Sequence, residues 1–271
     1  MELIQVNLEK CIHCGLCAEV CPSGCIIMEN QEPQATERNC IACGHCVAVC
    51  PVAAMDNVKA PLAKQLPLEK VPVLDADTAA RFLRSRRSIR RYKQNPVTRE
   101  KIMQLLDIAR LAPTGGNTQG VEYLVIDNPE TLRQITAATV DWMEEQVNSG
   151  SAWAQYYAGV VDTYRKTGQD VILRNAPCLI VAITSKNFQP RGRDNTHFSL
   201  AYAELYAPAI ELGTCWAGFF EGCASAKYKP LLDILKLPEN RVVTGGLLVG
   251  FPKYTYKRLV DRNPLQVSWR D

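Results

Sequence analysis

The chain has 271 residues, 47% of them hydrophobic and 22% charged, with a formal net charge of +3. This composition is ordinary for a globular protein, and the length is enough for a small domain plus one of full size. The charge is unevenly divided, because residues 1–60 contain three basic and seven acidic side chains while the remainder is basic. Such an asymmetry favours association between an acidic carrier and a basic partner domain.

The sequence also argues against export and membrane insertion. The first residues, Met-Glu-Leu-Ile-Gln-Val-Asn, lack the basic stretch and apolar core of a signal peptide. No apolar run approaches the ~18 residues that a membrane span requires. We therefore expect a soluble protein of the cytoplasm, where a reducing environment keeps cysteine thiolates available as metal ligands.

Nine of the twelve cysteines lie in the first fifty residues, and eight of them form two copies of one pattern. Each copy reads Cys-x2-Cys-x2-Cys-x3-Cys-Pro, and the second copy is offset from the first by 29 positions. The two copies consist of Cys11, Cys14, Cys17 and Cys21, and of Cys40, Cys43, Cys46 and Cys50. This run is the signature of bacterial ferredoxins with two [4Fe–4S] clusters, in which the fourth cysteine of each run binds the other cluster.

Two [4Fe–4S] clusters are therefore predicted. One set of ligands is Cys11, Cys14, Cys17 and Cys50, and the other is Cys40, Cys43, Cys46 and Cys21. Zinc ribbons space their cysteine pairs further apart, so a zinc site is disfavoured. Cys25 lies outside the pattern and is interpreted as a buried thiol rather than as a ligand. Gly15 and Gly44 are expected where the backbone wraps closely around each cluster.

The organisation along the chain is predicted as a ferredoxin-like domain at 1–60, a linker at 61–77 and a larger domain at 78–271. Pro61, Pro67 and Pro72 mark the linker, since proline at this density resists helix and sheet. A helix is expected to begin near Asp75–Thr78 and to end at the Arg-rich stretch 84–93. A nucleic-acid surface would need a longer patch with interleaved aromatic residues, and this stretch is too short for that, so it indicates a phosphate-binding site.

The larger domain is predicted to mix helices and strands. Helices are expected at about 98–111, 129–150, 152–168, 198–212 and 227–235, with Gly213 closing the fourth. Strands are expected at 121–126, 178–184 and 241–249, with a short strand or turn at 215–220 and a strand-like segment at 265–269. The glycine-containing turn at 112–120 matches neither a dinucleotide-binding loop nor a Walker loop, and it is interpreted as a polar loop against a ligand.

Several separated motifs then occur in a characteristic order. These are Arg86-Arg87-Ser88-Ile89-Arg90, Ala112-Pro113-Thr114 with Asn117 and Gln119, Gly213-Thr214-Cys215-Trp216-Ala217-Gly218, and Gly250-Phe251-Pro252 followed by basic residues. Together they resemble the FMN-dependent nitroreductase family over roughly residues 78–271. The resemblance implies an α+β fold with a central sheet flanked by helices, and a homodimer that binds FMN at each subunit interface.

The resemblance also implies roles for individual residues. Arg86, Ser88 and Arg90 are expected to grip the FMN phosphate and ribityl chain, with Arg87 contributing mainly through its backbone. The expected contacts to the ring or ribityl are Pro113, Thr114, Asn117 and Gln119, and those to the reactive edge are Ala217 and Gly218. Arg258 is expected to close over the phosphate, assisted by Lys253 or Lys257.

This chain departs from the family where Gly115-Gly116 replaces a serine pair and Gly120 replaces an aromatic residue, which leaves substrate choice open. The predicted function is an iron–sulfur flavoprotein oxidoreductase that passes electrons from the clusters to FMN and on to a nitroaromatic, quinone or similar small-molecule acceptor. The donor is either an external low-potential carrier or NAD(P)H. The alternatives are dehalogenation or flavin fragmentation on the same fold, and a non-enzymatic electron-transfer or redox-sensing module. No side-chain acid for catalysis is identified.

Overall fold

A computed structural model describes residues 3–36, 38–68, 74–188 and 190–270. By its internal contacts the chain divides into two compact units. The first unit comprises Met1–Val73 together with Gly115–Thr118, and the second comprises Leu74–Thr114 and Gln119–Asp271. Part of the predicted linker, including Pro72, lies outside the described residues.

The first unit is built from two short antiparallel strand pairs. Strand β1 (Ile4–Val6) is followed by α1 (Leu16–Glu19), β2 (Ile26–Glu29), β3 (Glu32–Ala35), α2 (His45–Ala48) and β4 (Met55–Asn57). Strand β1 pairs with β4, and β2 pairs with β3. The two helices are offset by the same 29 residues as the cysteine repeat, so the repeat in sequence is also a repeat in structure. The small core consists of Ile4, Cys17, Cys25, Ile26, Cys46, Val47 and Met55.

The second unit contains the longer elements. In chain order they are α3 (Ala76–Ser85), α4 (Arg99–Ala109), β5 (Glu122–Ile126), α5 (Pro129–Asn148), α6 (Ala154–Thr167), β6 (Cys178–Ser185), α7 (Arg191–Tyr206), β7 (Gly213–Trp216), α8 (Gly218–Ser225), α9 (Lys229–Leu235) and β8 (Arg241–Gly250). The predicted combination of helices and sheet is therefore confirmed. Three helices begin close to their predicted starts, and each has an N-cap side chain that accepts a hydrogen bond from a backbone N–H of the first turn. The N-cap residues are Asp75, Thr98 and Asn128.

The sheet of the second unit has the strand order β5-β6-β8-β7, and every neighbouring pair is antiparallel. Strand β6 is apolar from Cys178 to Ile183 because both of its faces are covered. Leu179, Val181 and Ile183 face one core with α5, α6, α8 and α9, whereas Ile180 and Ala182 face a second core with α4 and α7. The predicted central sheet flanked by helices is confirmed.

Some predicted boundaries are wrong. Helix α7 begins at Arg191 rather than near 198. Its polar first half still buries a face that includes Gly192, Asn195 and Thr196, so the apolar pattern used to locate the start was incomplete. The helix ends at Tyr206, and a 3-10 turn ending at Glu211 in the left-handed conformation follows it, so Gly213 is not its terminator.

Two further segments differ from the predictions. The stretch at 215–220 is divided between the end of β7 and the start of α8, because Gly218 begins a helix. The segment at 265–269 forms no strand in the structure, and its apolar side chains, Leu265 and Trp269, are 88% and 87% exposed. An apolar alternation without a neighbouring strand in the described chain has no partner for its backbone hydrogen bonds.

The longest described helix is α5, with 20 residues. It carries charged side chains along its length, and no helix in the described ranges is both long and apolar enough to cross a membrane.

Candidate functional site

The eight predicted cluster ligands line two separate cavities in the first unit. The residues that line one cavity include Cys11, Cys14, Cys17 and Cys50. The other is lined by Cys21, Cys40, Cys43 and Cys46. Within the described ranges, no three His, Cys, Asp or Glu side chains converge closely enough to hold a single metal ion. Each set of four thiols therefore surrounds a space instead of meeting at a point.

The backbone around these cavities needs conformations that few residues adopt. Gly15 and Gly44, immediately before α1 and α2, have φ angles of 76° and 74°. At such angles a Cβ atom is strained, so glycine is the residue that fits. His13 and Ala42, one in each loop, also have positive φ, at 55° and 54°. The same unusual geometry thus recurs at repeat-related positions in both loops.

Hydrogen-bond donors point at the cysteine sulfurs. The backbone N–H of Cys25 donates to the Cys21 sulfur at 3.2 Å, and that of Ala54 donates to the Cys50 sulfur at 3.2 Å. Burial raises the pKa of the Cys46 thiol to about 11 and also raises that of Cys17. A thiol with a raised pKa stays protonated at neutral pH unless a metal supplies positive charge. Four thiols per cavity, with N–H donors beside them, fit an iron–sulfur cluster.

Cys25 is itself buried, and its thiol donates to the carbonyl of Arg38 at 3.3 Å. Burial is the main cause that raises its pKa. The structure thus places it as a core thiol beside the second cavity.

In the second unit, the Arg-rich stretch lines a cavity of about 580 Å³. Its lining residues are Leu83, Arg84, Arg86, Arg87, Ser88, Arg90, Val260, Asp261 and Arg262. The stretch is held against the sheet edge by a bridge between Ser88 and Thr214, where the Ile89 N–H donates to the Thr214 carbonyl at 2.8 Å. Five guanidinium groups around one cavity provide a donor set suited to a phosphate.

A second cavity of about 400 Å³ adjoins the first through Arg90, which lines both. Its other lining residues are Trp153, Tyr156, Tyr157, Ile172, Arg174, Cys215, Trp216, Gly218, Phe219 and Leu248. It therefore combines an aromatic wall with two guanidinium groups and the start of α8. Arg90 thus lies between an Arg-rich cavity suited to a phosphate and an aromatic cavity suited to a flat ring. These are the two ends of a flavin mononucleotide.

Of the two residues predicted at the flavin edge, only Gly218 lines this cavity. The Ala217 N–H already donates a hydrogen bond to the Gly246 carbonyl at 2.9 Å. Gly218 is the first residue of α8, so its own N–H has no acceptor within the helix.

The loop residues predicted to contact the flavin are divided between the two units. Thr114 and Gln119 belong to the second unit, where the Thr114 hydroxyl accepts the Gln119 N–H at 3.0 Å. Pro113 is exposed. Asn117 belongs to the first unit, and its side-chain amide donates to the carbonyls of Ile41 and Ala42, each at 3.0 Å.

Sequence reasoning missed other residues of the site. Arg262 lines the Arg-rich cavity, whereas Arg258, the residue expected to close over the phosphate, does not. Both lie in the same basic tail, and spacing alone did not distinguish them. Arg174 was also missed. It has a left-handed φ of 60°, a strained conformation that is often found at functional sites.

A buried carboxylate behind the aromatic cavity was not anticipated either. Glu221 of α8 accepts a hydrogen bond from the Trp216 indole N–H at 2.5 Å and pairs with Arg193 at 3.1 Å. The His197 ring packs edge-on against Trp216, with 4.7 Å between ring centroids. These contacts hold the Trp216 ring in one orientation at the cavity wall.

The three cysteines of the second unit are buried, as predicted for core thiols. Burial raises the pKa of Cys178 and of Cys223 to about 12. Cys215 also lines the aromatic cavity, and burial raises its pKa as well. A thiol with a raised pKa is a poor nucleophile at neutral pH.

Comparison with known proteins identifies the family. The nitroreductase family model matches residues 83–251, which is more than half of the chain, and a 4Fe-4S dicluster domain model matches residues 3–51. The chain therefore belongs to the nitroreductase family and carries a 4Fe-4S dicluster domain at its N-terminal end. This confirms the predicted fusion and the predicted enzyme class, an FMN-dependent oxidoreductase.

Individual relatives are distant. An iodotyrosine deiodinase from Nematostella vectensis is 23% identical over 206 residues, covering 73% of this chain and 76% of the relative. A 5,6-dimethylbenzimidazole synthase from Rhodobacter capsulatus is 22% identical over 201 residues, covering 72% and 92%. A solved nitroreductase with bound FMN from Desulfitobacterium hafniense has a TM-score of 0.56 at 19% identity, covering 70% of this chain and 97% of that chain, which supports the fold.

Proposed function

We propose that this protein is an iron–sulfur flavoprotein oxidoreductase that passes electrons from two [4Fe–4S] clusters to FMN and then to an electron-poor aromatic acceptor. One observation carries the proposal. The same chain holds two cavities, each lined by four of the predicted cluster cysteines, and an Arg-rich cavity that adjoins an aromatic one. The first pair is suited to one-electron carriers. The second pair is suited to a phosphorylated, planar cofactor with space beside it for a substrate.

The residues proposed to hold the clusters are those predicted from the repeat. For FMN we propose that Arg86, Arg87, Ser88, Arg90 and Arg262 bind the phosphate end and that Gly218 faces the ring through its backbone N–H. FMN supplies the redox chemistry when bound, since it exchanges electrons singly with clusters and in pairs with organic molecules. The protein supplies orientation and charge, and the Trp216–Glu221 hydrogen bond keeps the aromatic wall in place.

The aromatic wall suggests the class of acceptor. The rings of Trp153 and Tyr156 lie edge-on to each other with their centroids 6.4 Å apart. The centroids of Tyr156 and Phe219 are 5.8 Å apart. Flat aromatic substrates stack favourably against such rings. Arg90 and Arg174 add positive charge at the same cavity. We therefore favour nitroaromatic, quinone or similar acceptors that become more negative on reduction.

A homodimer is also proposed, in line with the sequence-based expectation. Exposed aromatic residues such as Trp153, at 63%, and Tyr156, at 58%, supply apolar surface in the second unit that a second copy would cover. Analytical ultracentrifugation of the flavin-loaded protein tests this proposal, and a monomer at micromolar concentration would contradict it.

The first experiment is composition and activity under anaerobic conditions. We expect about eight irons per chain, since two four-iron clusters are proposed, together with about one FMN. The loaded protein, reduced with dithionite, should be reoxidised by a nitroaromatic or a quinone. Iron far below this ratio, or the absence of flavin, would overturn the proposal.

The donor is tested by stopped-flow mixing of the oxidised protein with NADH or NADPH. We propose that electrons enter through the clusters, so bleaching of the flavin by nicotinamide cofactors should be slow compared with reduction by a reduced ferredoxin-type protein. Rapid bleaching by NADH with no effect of cluster loss would contradict entry through the clusters.

A second candidate function has specific support. Relatives named iodotyrosine deiodinase and 5,6-dimethylbenzimidazole synthase share the fold region, so reductive dehalogenation and flavin fragmentation are the alternatives. An acceptor panel that includes a halogenated phenol, with halide release measured, separates them from nitro or quinone reduction. Loss of the FMN absorbance during aerobic turnover would instead indicate fragmentation.

A further inference from the structure

The two cluster cavities are related by the internal repeat, so their surroundings can be compared position by position. The N–H of Cys25 donates to the Cys21 sulfur, and the N–H of Ala54, 29 residues later, donates to the Cys50 sulfur at the same distance of 3.2 Å. Each cavity thus receives one equivalent backbone donor. Further differences in hydrogen bonding to the ligand sulfurs then distinguish the two cavities.

Asn57 breaks this equivalence. It lies at the end of β4, is 1% exposed and lines the cavity of Cys21, Cys40, Cys43 and Cys46. Its side-chain Nδ2 donates to the Cys40 sulfur at 3.6 Å. The orientation of the amide is defined, because Oδ1 accepts the Lys59 N–H at 2.9 Å. The nitrogen, not the oxygen, therefore faces the sulfur.

The repeat-related position in the other cavity is Met28. Its thioether side chain lines the cavity of Cys11, Cys14, Cys17 and Cys50 and has no hydrogen to donate. A second difference also gives the Cys40 sulfur the extra hydrogen-bond donor. The Ala42 N–H donates to the Cys40 sulfur at 3.3 Å, whereas the described chain shows no corresponding bond from His13 to Cys11. The Cys40 sulfur thus receives two donors that its counterpart lacks.

Donors to a ligand sulfur favour the more negative, reduced form of a cluster, so they raise its reduction potential. The effect is larger for a buried donor, because little solvent competes for the sulfur. Asn57 is nearly inaccessible to solvent, and Cys40 is only partly exposed.

We propose that Asn57 sets unequal potentials for the two clusters, such that the cluster bound by Cys21, Cys40, Cys43 and Cys46 has the higher one. This inference rests on the proposed ligand sets. Of the two clusters, that one is then reduced first by a chemical reductant such as dithionite. Asn57 acts as a positioning residue, since it contacts a ligand sulfur rather than a reacting substrate.

The test is a reductive titration of the loaded protein followed by electron paramagnetic resonance. The cluster signals of the wild type should appear in two separate one-electron waves, which are distinguished by their spectra from the reduction of FMN. In Asn57→Leu, which has similar volume but no donor, the higher wave should fall by about 60 mV, which corresponds to a tenfold change for a one-electron couple. The lower wave should stay in place, so the two waves approach each other.

Met28→Leu is the matched control, because it makes an apolar replacement at the repeat-related position without removing a donor. Neither wave should move in that variant. Asn57→Val, a strand-favouring residue without a donor, provides a second test if the leucine variant binds less than about eight irons.

Three results would overturn the proposal: coincident waves in the wild type, an unchanged higher wave in a loaded Asn57 variant, or a fall of the lower wave instead. Failure of both Asn57 variants to load clusters would also overturn it, since Asn57 would then have a structural role. The titration needs no acceptor, so a negative acceptor panel leaves it interpretable. A wild-type protein without iron would contradict the proposed function itself, and this outcome is recognised before any potential is measured.

Discussion

Arg90 is the residue that connects the two cavities of the second unit. Its guanidinium is exposed and is one of five around the Arg-rich cavity. Bidentate pairing with phosphate is specific to arginine, and lysine cannot reproduce it. If FMN binds as proposed, Arg90 contributes charge at the phosphate end and lies beside the ring end.

We therefore expect Arg90→Ala to weaken FMN binding by about 10- to 100-fold, since hydrogen bonds to charged groups are worth about 1.5–3 kcal/mol. Quenching of flavin fluorescence on titration with apoprotein measures the dissociation constant. Arg99→Ala is the matched control, because Arg99 is an exposed arginine on α4 that lines neither cavity. Equal affinities of the two variants would contradict the assignment of Arg90.

Glu204 is a partly buried carboxylate of α7 beside the Arg-rich stretch, with 14% of its side chain exposed. Burial raises its pKa above the ordinary value of 4.5, although Arg86, paired with it at 3.4 Å, and Thr214 act in the opposite direction. A carboxyl whose pKa is raised in the folded state contributes most to stability below its unfolded pKa, and this contribution is lost as pH rises through the folded value.

Relative to wild type, Glu204→Gln should therefore become progressively more stable as pH rises from below 4.5 toward neutrality. Urea unfolding of both proteins across this range measures the difference. Glu130→Gln is a control in which the stability difference from wild type should change with pH in the opposite direction. The reason is that hydrogen bonds from Arg133 lower the pKa of Glu130. A pH-independent difference between Glu204→Gln and wild type would contradict the expectation.

At the scale of elements, the packing of α7 on the sheet depends on a glycine of β8. A Cβ atom at Gly245 would lie 2.7 Å from Thr196 Cγ2 and 3.0 Å from Leu200 Cδ1, both on α7. Thr196 and Leu200 are fully buried, so they have little freedom to move. The helix approaches the sheet closely because the strand lacks a side chain at this point.

Gly245→Ala should destabilise the protein by about 1–3 kcal/mol, which is typical of overpacking a core. Gly159→Ala in α6 is the matched control, because apart from neighbouring residues and the backbone of its own helix no described atom lies within 4 Å of the added Cβ. That change should stabilise the helix by about 0.5–1 kcal/mol. Chemical denaturation measures both, and a neutral Gly245→Ala would show that α7 and β8 are not closely packed.

The boundaries of β6 and α7 show which features of an element can be predicted from the local sequence pattern. Strand β6 was predicted within a residue because it is an uninterrupted apolar run, a signature of burial on both faces. Helix α7 was predicted to start too late, because two polar residues of its first half, Asn195 and Thr196, are buried rather than exposed. Burial of Asn195 and Thr196 depends on what packs against them, which local sequence does not report.

At the scale of the whole molecule, the two units have separate cores of very different size. The core of the first unit consists of seven buried residues, two of which are the predicted ligands Cys17 and Cys46. A core this small rarely supports a fold alone, and metal binding commonly supplies the missing stability. Among the described residues, the sheet-based cores of the second unit contain none of the predicted cluster cysteines.

Removal of iron by a chelator should therefore unfold the first unit while the second keeps its structure. Hydrogen exchange followed by mass spectrometry gives the test: amides of β1 and β4 should lose protection, and those of β6 and β8 should retain it. The loaded protein carried through the same buffer exchange is the control. Persistent protection of β1 and β4 without iron would show that the clusters are not needed for folding.

The family and the positions of most helices and strands could be predicted from the amino-acid sequence, and the proposed cysteine ligand sets come from the spacing of its repeat. These depend on local spacing, capping and periodicity, which nearby residues specify among themselves. Only the tertiary structure assigned Arg262 and Arg174 to the cavities, paired Glu221 with Trp216, and directed the Asn57 amide at the Cys40 sulfur. Each of those contacts joins residues brought together by folding, so its geometry is set by the packing of whole elements and not by any local pattern.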